Sequence, residues 1–409
     1  MGGLGVSAIE TKFAGLATEN APGQEVRLKG ALGDGFLRGE PIEGRPVDFS
    51  HGDVDAFPPI ESAWEHFAEG YAKGGRQAYT EYLGDAEIRA LVGERLGAFT
   101  GKALSSEEDL IVTPGTQGAL FLAMGATVAK GTKVAVVEPD YFANRKLVRF
   151  FDGELVPVRL DYLDAETRAG LDLEGLEAAF RDGAEVLVFS NPNNPAGVVY
   201  SEEEIAAIAS LAGRYGATVI VDQLYARLLY SGERYRHLRA AGMDPSKLIT
   251  IIGPSKTESL SGFRLGVAFG SSAIIERMAK LQAIVSLRAA GYSQAVLRVW
   301  LDEPEGWMAE RTRAHEAIRD DLLGVLRACE GVKVRKPEAG SYLFPQLPEL
   351  GIAPLDFVRA LRLQAGVIVT PGTEFAPHAF RSIRFNYSQD HEASVAAMSR
   401  VVQLVERYR

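Results

Sequence analysis

The chain has 409 residues, 46% of them hydrophobic, which is enough to bury large cores and to form two or three domains. Its net charge is −10 and it has no basic block, so a small-molecule substrate is expected rather than nucleic acid or an anionic membrane. Cys329 is the only cysteine, which excludes an intrachain disulfide or a cysteine metal cluster and fits a reducing compartment.

The N-terminal part of the chain predicts little regular structure. Residues 1–47 lack strong periodicity and carry many glycines, which predicts an arm that packs on another part of the protein. No signal-peptide pattern is present and no apolar run approaches membrane-spanning length, so a cytoplasmic protein is expected. A short strand at Asp48 then leads into a turn-rich loop, and helices are predicted over residues 60–73 and 85–99.

From about residue 109 to 270, apolar strands alternate with helical patterns. The predicted strands cover residues 110–112, 133–137, 155–158, 186–189, 218–221, 248–252 and 266–268, and helical patterns begin at 117 and 142 or cover 202–215. This alternation predicts βαβ crossovers and a mainly parallel sheet covered on both faces.

The C-terminal part predicts a smaller α+β unit. A long helical region runs from about 272 to 329 and is interrupted near residues 303–306. Short strands at 332–334, 341–344, 367–369 and 382–385 then mix with helices over 354–365 and 391–408.

The most informative stretch, residues 249–270, places Lys256 just beyond a buried strand that ends at Gly253 and Pro254. A lysine there lies where open α/β sheets bind ligands, and partial burial would favour its neutral, nucleophilic form. Arg264 follows and is able to hold a phosphate with two hydrogen bonds. The pair indicates a phosphorylated aldehyde cofactor, although Lys256 taken alone is more often an ordinary solvated lysine.

Two further stretches suit a flat, phosphorylated ligand. Residues 113–119 join a strand to a helix through glycines, and the backbone N–H groups there suit a phosphate, with a plain tight turn as the alternative. Tyr141 lies just beyond the next strand, where it is able to stack on a flat ring or to pack as a core or rim residue.

Polar residues end three other predicted strands. Residues 190–197 form a rigid loop in which the Asn194 amide can donate to a ring oxygen. Asp222 ends a buried strand and requires a cation such as a protonated pyridine nitrogen, and Tyr225 can donate to a phenolic oxygen of the same ring. Arg384 matches a substrate carboxylate or forms a surface salt bridge.

These motifs resemble fold-type I pyridoxal-phosphate enzymes, the class I/II aminotransferases of the aspartate aminotransferase superfamily. The resemblance rests on Ser255-Lys256 with Gly-Phe-Arg-Leu-Gly at 262–266, on Asn-Pro-Asn-Asn-Pro-Ala-Gly at 191–197 and on Asp222-Gln-Leu-Tyr225. It implies an α/β fold with a large, mainly parallel seven-stranded sheet domain and a smaller α+β domain. Residues 1–60 would form an N-terminal arm and part of the small domain, residues 61–305 the large cofactor-binding domain, and residues 306–409 the C-terminal small domain.

The resemblance also implies a role for individual residues. The cofactor would be pyridoxal 5'-phosphate, joined to Lys256 as an aldimine, with Lys256, Asp222 and Tyr225 catalytic and no metal. The implied cofactor-binding residues are Gly115, Thr116, Gln117, Tyr141, Asn194, Asp222, Tyr225, Ser255, Lys256, Arg264 and Tyr79. Arg384, Gly52 and Asn194 would bind the substrate. Tyr79 would reach the cofactor phosphate of a neighbouring subunit, which implies a homodimer with shared sites.

The implied reaction moves the α-amino group of an amino acid to a 2-oxo acid by a ping-pong mechanism. A β-lyase, decarboxylase or oxidase of the same fold would keep every cofactor residue. A regulatory protein of this fold would add a DNA-binding domain, for which this N-terminus is too short and not basic enough.

Side-chain specificity and two departures from the family pattern stay open. Four residues are candidates for contacting the substrate side chain: His51, Asp53, Tyr82 and Arg288. If Arg288 points into the site, it would select a dicarboxylate. Gln223 stands where Glu is common in the family, and Gly253 stands where many relatives carry a phosphate-binding Ser.

Overall fold

The computed structural model of the chain describes residues 7–14, 16, 35–52, 55–164 and 168–409. Its helices are α1 (Ala8–Ala14), α2 (Ala63–Ala72), α3 (Gly75–Ala78), α4 (Ala86–Thr100), α5 (Gly115–Thr127), α6 (Phe142–Phe150), α7 (Leu173–Arg181), α8 (Glu202–Tyr215), α9 (Ser272–Val285), α10 (Gly291–Gln294), α11 (Trp307–Arg327), α12 (Pro354–Ala365) and α13 (His391–Tyr408). Its strands are β1 (Val47–Asp48), β2 (Leu110–Pro114), β3 (Lys133–Glu138), β4 (Glu154–Arg159), β5 (Val186–Ser190), β6 (Thr218–Asp222), β7 (Leu248–Ile252), β8 (Leu265–Gly270), β9 (Tyr342–Leu343), β10 (Val367–Ile368), β11 (Thr370–Pro371) and β12 (Ile383–Asn386). None of these helices is long and apolar enough to cross a membrane.

Seven strands form one central sheet in the order β2-β8-β7-β6-β5-β3-β4. The strands from β7 to β4 pair in parallel, and β8 runs antiparallel to both of its neighbours. Side chains of β3 alternate between the two faces: Ala135 and Val137 join the buried cluster under α7 and α8, whereas Val134 and Val136 join the cluster under α5, α6 and α9. The predicted α/β fold with a mainly parallel seven-stranded sheet is confirmed.

Local signals set several helix ends where the sequence predicts them. The Ser201 side chain accepts from the Glu204 N–H, and the Glu204 side chain accepts from the Ser201 N–H, which fixes the start of α8. The helix ends at Gly216, whose φ of 68° lies in the left-handed region. In the same way α12 begins with Pro354 in its first turn and ends at Gly366.

The C-terminal segments build a second group of short strands. β1 pairs in parallel with β10, and β11, β12 and β9 form a three-stranded antiparallel sheet. One buried cluster joins Phe49 and Phe57 to Phe385 and to residues of α11, α12 and α13. The chain just before residue 60 therefore packs with the C-terminal segments, and the division at residues 60 and 305 stays a prediction.

One predicted strand is absent from this part of the structure. Residues 332–334 do not form a strand, because only Lys333 pairs with Gln346, as an isolated antiparallel bridge. A run of alternating valines therefore does not suffice for a strand where no neighbouring segment continues the pairing.

The helical region expected from about 272 to 329 breaks earlier than predicted. α9 ends at Val285, and only α10 and a short 3-10 turn (Ala295–Val299) precede α11. Leu287 and Leu301 lie in the left-handed region, with φ of 64° and 63°. No Gly or Pro stands at the first of these breaks, so the sequence carries no local signal for it.

Candidate active site

The reactive side chains singled out in the sequence meet at the carboxyl ends of β5, β6 and β7, where open parallel sheets bind ligands. They line a cavity of about 270 Å³. Its lining residues are Ser50, Thr116, Gln117, Leu120, Tyr141, Phe142, Ser190, Pro192, Asn194, Asp222, Leu224, Tyr225, Ser255, Lys256, Ser261, Arg264, Tyr342 and Arg384.

Lys256 lies in the loop that follows β7 and is partly buried against the cavity. Within the described part of the chain, its amine has neither an ion pair nor a hydrogen bond. A lysine with an unengaged amine at a cavity wall can form a covalent bond with an aldehyde.

Asp222 closes β6 with its carboxylate in the cavity. The Leu224 backbone N–H donates to its Oδ1 at 2.9 Å, but no cationic side chain of the described residues pairs with it. Burial raises the pKa of Asp222 to about 6, and the hydrogen bond from Leu224 opposes this shift. A cationic group of a ligand would favour the ionised carboxylate here.

Two buried tyrosines face each other across the cavity. The hydroxyl oxygens of Tyr225 and Tyr342 are 2.5 Å apart. Burial, together with Tyr342, raises the pKa of the Tyr225 hydroxyl well above its ordinary value, so Tyr225 stays neutral and able to donate. The sequence analysis did not single out Tyr342, since its place depends on how β9 packs against the loop after β6.

Arg384 on β12 is a buried cation held by several partners. Its Nη1 donates to Asn194 Oδ1 at 3.0 Å and its Nη2 to the Ser50 carbonyl at 2.9 Å. The guanidinium lies over the rings of Tyr342 (4.3 Å) and Phe375 (4.8 Å). Its Nε is buried without a hydrogen-bond partner in the described structure, which suits a ligand carboxylate.

The N-terminus of α5 and Arg264 meet at the opposite end of the cavity. α5 begins at Gly115 without a side-chain cap, so N–H groups of its first turn are open to a ligand. Gly115 has a φ of +75°, and a Cβ added there would come within 2.5 Å of Arg264 Nη2. Thr116 and Gln117 follow at the cavity wall. Helix terminus and guanidinium together suit a phosphate.

Asp140, which the sequence analysis did not assign to the site, connects two of the loops that form it. Its carboxylate accepts from the Tyr141 N–H (2.6 Å), from the Ser190 N–H (2.9 Å) and hydroxyl (2.7 Å), and from the Asn193 amide (3.2 Å). Burial raises the pKa of Asp140, while the hydrogen bonds from Ser190 and Tyr141 lower it. The Tyr141 hydroxyl donates to Gln117 Oε1 at 2.8 Å, so the ring is fixed at the cavity wall.

A second cavity, of about 180 Å³, shares part of its wall with the first. The residues common to both are Tyr225, Ser255, Lys256 and Ser261, so Lys256 lies between two chambers. The remaining wall is mostly polar: His51, Gly52, Leu228, Ser259, His315, Ser341, Asn386 and Ser388. Gly52, predicted to approach the substrate, therefore lies in this second chamber.

Tyr79 lies away from the cavity of its own chain and is 76% exposed. The Arg288 guanidinium lies 5.2 Å from the Tyr79 ring and 5.5 Å from the Tyr82 ring. Nε and Nη1 of Arg288 are buried and lack hydrogen-bond partners among the described residues. Of the four side-chain candidates, His51 lines the second cavity and Asp53 lies outside the described residues.

Exposed large apolar side chains occur on α2, next to α3 and α4, and at the end of α9, and we call this set of residues the aromatic face. The segments around α2 and α10 pack on each other there, with the rings of Tyr71 and Tyr292 5.4 Å apart. The exposed members are Trp64, Tyr71, Tyr79, Tyr82, Ile284, Val285 and Leu287. A concentration of exposed apolar side chains of this kind is typical of a protein–protein interface.

The structure gives a physical reason for both departures from the family pattern. Gln223 is buried, and its Oε1 accepts from His237 Nδ1 at 3.0 Å. Burial lowers the pKa of His237 to about 4, so the histidine is neutral and its partner is a neutral amide rather than a carboxylate. A Cβ at Gly253 would come within 2.9 Å of the Thr116 methyl, which leaves no room for Ser. Ser255 lines the cavity instead.

This donor set fits pyridoxal phosphate. The helix terminus at Gly115 and Arg264 suit its phosphate, Asp222 lacks a cation that the pyridine nitrogen would supply, and Lys256 suits its aldehyde.

Comparisons with known proteins agree on one family. The family model described as aminotransferase class I and II matches residues 45–401. The aspartate/prephenate aminotransferase of Thermus thermophilus is 32% identical over 84% of this chain and 88% of its own. A crystal structure of an aspartate aminotransferase from Rhodobacter sphaeroides 2.4.1 is 66% identical with a TM-score of 0.94, over 98% of this chain and 100% of that one. A structure of Thermus thermophilus aspartate aminotransferase with maleate is 28% identical, with a TM-score of 0.79, and the match covers 88% of this chain and 91% of that one.

Proposed function

Since the chain belongs to the class I and II aminotransferase family and is an aminotransferase, we propose that it works by a ping-pong mechanism at Lys256. The amino acid would leave as a 2-oxo acid before a second 2-oxo acid enters the same cavity. The proposal rests on one observation: Lys256, Asp222 and Arg384 line the same cavity. Amino-group transfer needs a nucleophilic amine, a carboxylate that keeps the pyridine nitrogen protonated, and a cation that binds the substrate carboxylate.

Pyridoxal phosphate, when bound, supplies an electron-poor ring that accepts the negative charge developing at the substrate α-carbon. Asp222 would hold its pyridine nitrogen as a cation, and the N-terminus of α5 with Arg264 would hold its phosphate. The other residues proposed to bind it are Thr116, Gln117, Tyr141, Asn194, Tyr225 and Ser255.

The chain's own residues divide the remaining work. Lys256 Nζ would anchor the cofactor at rest and, once the amino acid has displaced it, carry the proton away from the α-carbon. Arg384, oriented by Asn194, would fix the substrate α-carboxylate so that the α-hydrogen points at Lys256. Tyr225 would donate from its neutral hydroxyl to the ring oxygen.

We propose a dicarboxylic amino acid as the donor and a homodimer as the working form. Arg288 has unpaired guanidinium nitrogens beside the exposed Tyr79, and both lie on the aromatic face. Two copies joined through this face would bring Arg288 to a substrate carboxylate and Tyr79 to a cofactor phosphate in the partner's site. The aspartate aminotransferase names of the relatives and the maleate bound to one of them support a four-carbon dicarboxylate.

The test is the visible absorbance of the purified protein with its cofactor. We expect a yellow band that bleaches with aspartate or glutamate and returns with a 2-oxo acid, with no ammonia, carbon dioxide or peroxide released. A band that bleaches while one of these products appears would identify a β-lyase, decarboxylase or oxidase, and no band at all would overturn the cofactor assignment. The domain division and a cytoplasmic location stay predictions.

A further inference from the structure

The loop that carries Lys256 has little regular structure to hold it. Between β7 and β8 only Ser261–Phe263 form a short 3-10 turn. Its backbone hydrogen bonds are local, and those nearest Lys256 run from the Ser259 N–H to the Lys256 carbonyl (3.3 Å) and from the Leu260 N–H to the Pro254 carbonyl (3.1 Å). The direction of the Lys256 side chain therefore depends on how neighbouring side chains fix this loop.

Glu258, two residues after Lys256, points into the protein interior and is 0% exposed. Its Oε1 pairs with Arg227 Nη1. Arg227 also binds Glu303 with both terminal nitrogens, Nη1 to Oε1 at 2.6 Å and Nη2 to Oε2 at 2.7 Å. Glu303 in turn accepts from the Leu301 N–H at 3.0 Å. We call Arg227, Glu258 and Glu303 the ion cluster.

The ion cluster connects the lysine loop to the loop that carries Tyr225. Arg227 lies two residues beyond Tyr225, and the Leu228 N–H donates to the Tyr225 carbonyl at 2.9 Å. Both chambers share Lys256 and Tyr225 in their walls, and these two residues are also proposed to take part in catalysis. The Arg227 guanidinium thus connects, through the Glu258 side chain, the loop that carries Lys256 to the loop that carries Tyr225.

Arg311 holds the same stretch of the lysine loop from the other side. Its Nη1 donates to the Thr257 carbonyl at 3.0 Å and to Ser259 Oγ at 2.8 Å, the residues on either side of Glu258. Its Nη2 donates to the Pro58 carbonyl at 2.5 Å. Two arginines therefore hold this stretch: Arg311 of α11 binds the backbone at Thr257, and Arg227, in the loop after β6, binds the Glu258 side chain.

Stability alone does not explain a carboxylate at this position. Desolvating an ion pair costs about as much as the pairing returns, and well-packed apolar residues often serve stability better. Glu258 Oε2 also remains buried without a hydrogen-bond partner in the described part of the chain. Charge-assisted pairs do, however, fix direction and distance more strictly than apolar contacts.

We propose that Glu258 is a positioning residue, whose pairing with Arg227 sets the direction of the Lys256 amine relative to the Tyr225 hydroxyl. The proposal rests on the proposed function, since it concerns the lysine that anchors the cofactor. No hydrogen bond or ion pair of the described residues links the ion cluster to Arg384 or Asn194, so substrate binding should not depend on it.

The test is Glu258→Gln, which keeps the side-chain shape and removes the charge. The first readout uses no substrate: the visible spectrum of the bound cofactor is titrated against pH, because the midpoint reports the environment of the lysine anchor. We expect the midpoint to move by about half a pH unit or more, and kcat to fall about 10- to 100-fold with KM changed less than about twofold. A matched control is Glu204→Gln, which neutralises another buried carboxylate, at the N-terminus of α8 and remote from the cavity.

The outcomes separate a positioning role from a structural one. Glu258→Gln with a wild-type midpoint and kcat, and a loss of stability like that of Glu204→Gln, would overturn the proposal while leaving the proposed function intact. A wild-type protein without a visible band would instead overturn the proposed function. If Glu258→Gln does not fold, Glu303→Gln gives the same readout, with a smaller midpoint shift expected in the same direction and an unchanged midpoint as the contrary result.

Discussion

At the scale of single residues, the substrate binding proposed for Arg384 depends on the shape of its guanidinium group as well as on its charge. Its two terminal nitrogens already bind Asn194 and Ser50, and its planar guanidinium lies over two aromatic rings. A lysine would keep the charge but lose the fork and the stacking.

We therefore expect Arg384→Lys to raise KM for both the amino acid and the 2-oxo acid about 10- to 100-fold, while the spectrum of the bound cofactor stays unchanged. Steady-state kinetics with both substrates give the measurement. Arg381→Lys is the control, because Arg381 lies on the same segment but donates to the Leu347 carbonyl outside the cavity. A wild-type KM for Arg384→Lys would remove Arg384 from the substrate site.

The residues found by sequence reasoning are those whose chemistry shows in local order along the chain. Lys256 after a strand, Asp222 at a strand end and Asn194 in a proline-rich loop all carry such a signal, and all line one cavity. Tyr342 carries no such signal and Glu258 only a weak one, because their roles arise from partners far along the chain. A charged residue two positions after the lysine, in a loop of small residues, is the one clue that Glu258 offers in advance.

At the scale of elements, close packing between β7, β8 and α5 explains a residue that the family pattern does not. A Cβ at Gly253 would come within 2.9 Å of the Thr116 methyl and 3.2 Å of Gly266 Cα. The glycine thus keeps the end of β7 against the first turn of α5, where the phosphate is proposed to bind.

Gly253→Ala should cost about 1–3 kcal/mol of unfolding free energy, because the new methyl overpacks this contact. Removing the opposing methyl with Thr116→Ser should restore part of that loss in the double variant. Urea unfolding of the two single variants and the double variant provides the cycle. Strict additivity of the two changes would show that these groups do not contact each other.

α11 contains a histidine whose state links the protein's stability to pH. His315 donates from Nδ1 to the Arg311 carbonyl (2.8 Å), accepts at Nε2 from Ser388 (3.0 Å) and stacks on Phe57 (3.9 Å). Burial lowers the pKa of His315 to about 4, from an ordinary 6.5. The unfolded chain therefore takes up a proton between these values and the native protein does not.

It follows that stability should fall as pH decreases from 6.5 to 4, with His315 contributing about 3 kcal/mol of that fall. His315→Gln should remove this part of the slope, although it lowers stability at neutral pH. Unfolding free energies measured by urea at several pH values decide between these outcomes, and an unaltered slope for His315→Gln would refute the assignment.

Elements with strong local end signals were predicted closely, and elements that depend on distant pairing were not. α8, α12 and α13 match their predicted limits because caps and prolines mark them. Residues 332–334 failed as a strand and the helix expected across 286 broke, because both outcomes depend on which segments lie alongside.

At the scale of the whole molecule, the aromatic face and the cavity are parts of one proposed assembly. Ile284 is 82% exposed and Tyr79 76%, values that suit burial against a second copy. A shared site means that a residue from one chain completes the cavity of the other.

Mixing two impaired variants tests this directly. Lys256→Ala lacks the anchor and Arg288→Ala lacks the proposed carboxylate reader, so each homodimer should be nearly inactive with aspartate. After unfolding and refolding together, hybrid dimers carry one intact site, and activity should recover to about a quarter of wild type. No recovery would place both residues in the site of a single chain.

Ile284→Glu should give monomers by size-exclusion chromatography.

The position of Lys256 between two chambers has a consequence for isotopes. The wall of the second chamber includes Ser259, Ser341 and Ser388. We therefore expect the proton on Lys256 to exchange through this polar chamber without passing the bound substrate. In deuterium oxide, the amino donor recovered before turnover is complete should therefore carry deuterium at its α-carbon. The proton that Lys256 has taken from the substrate exchanges with solvent before it returns to the α-carbon.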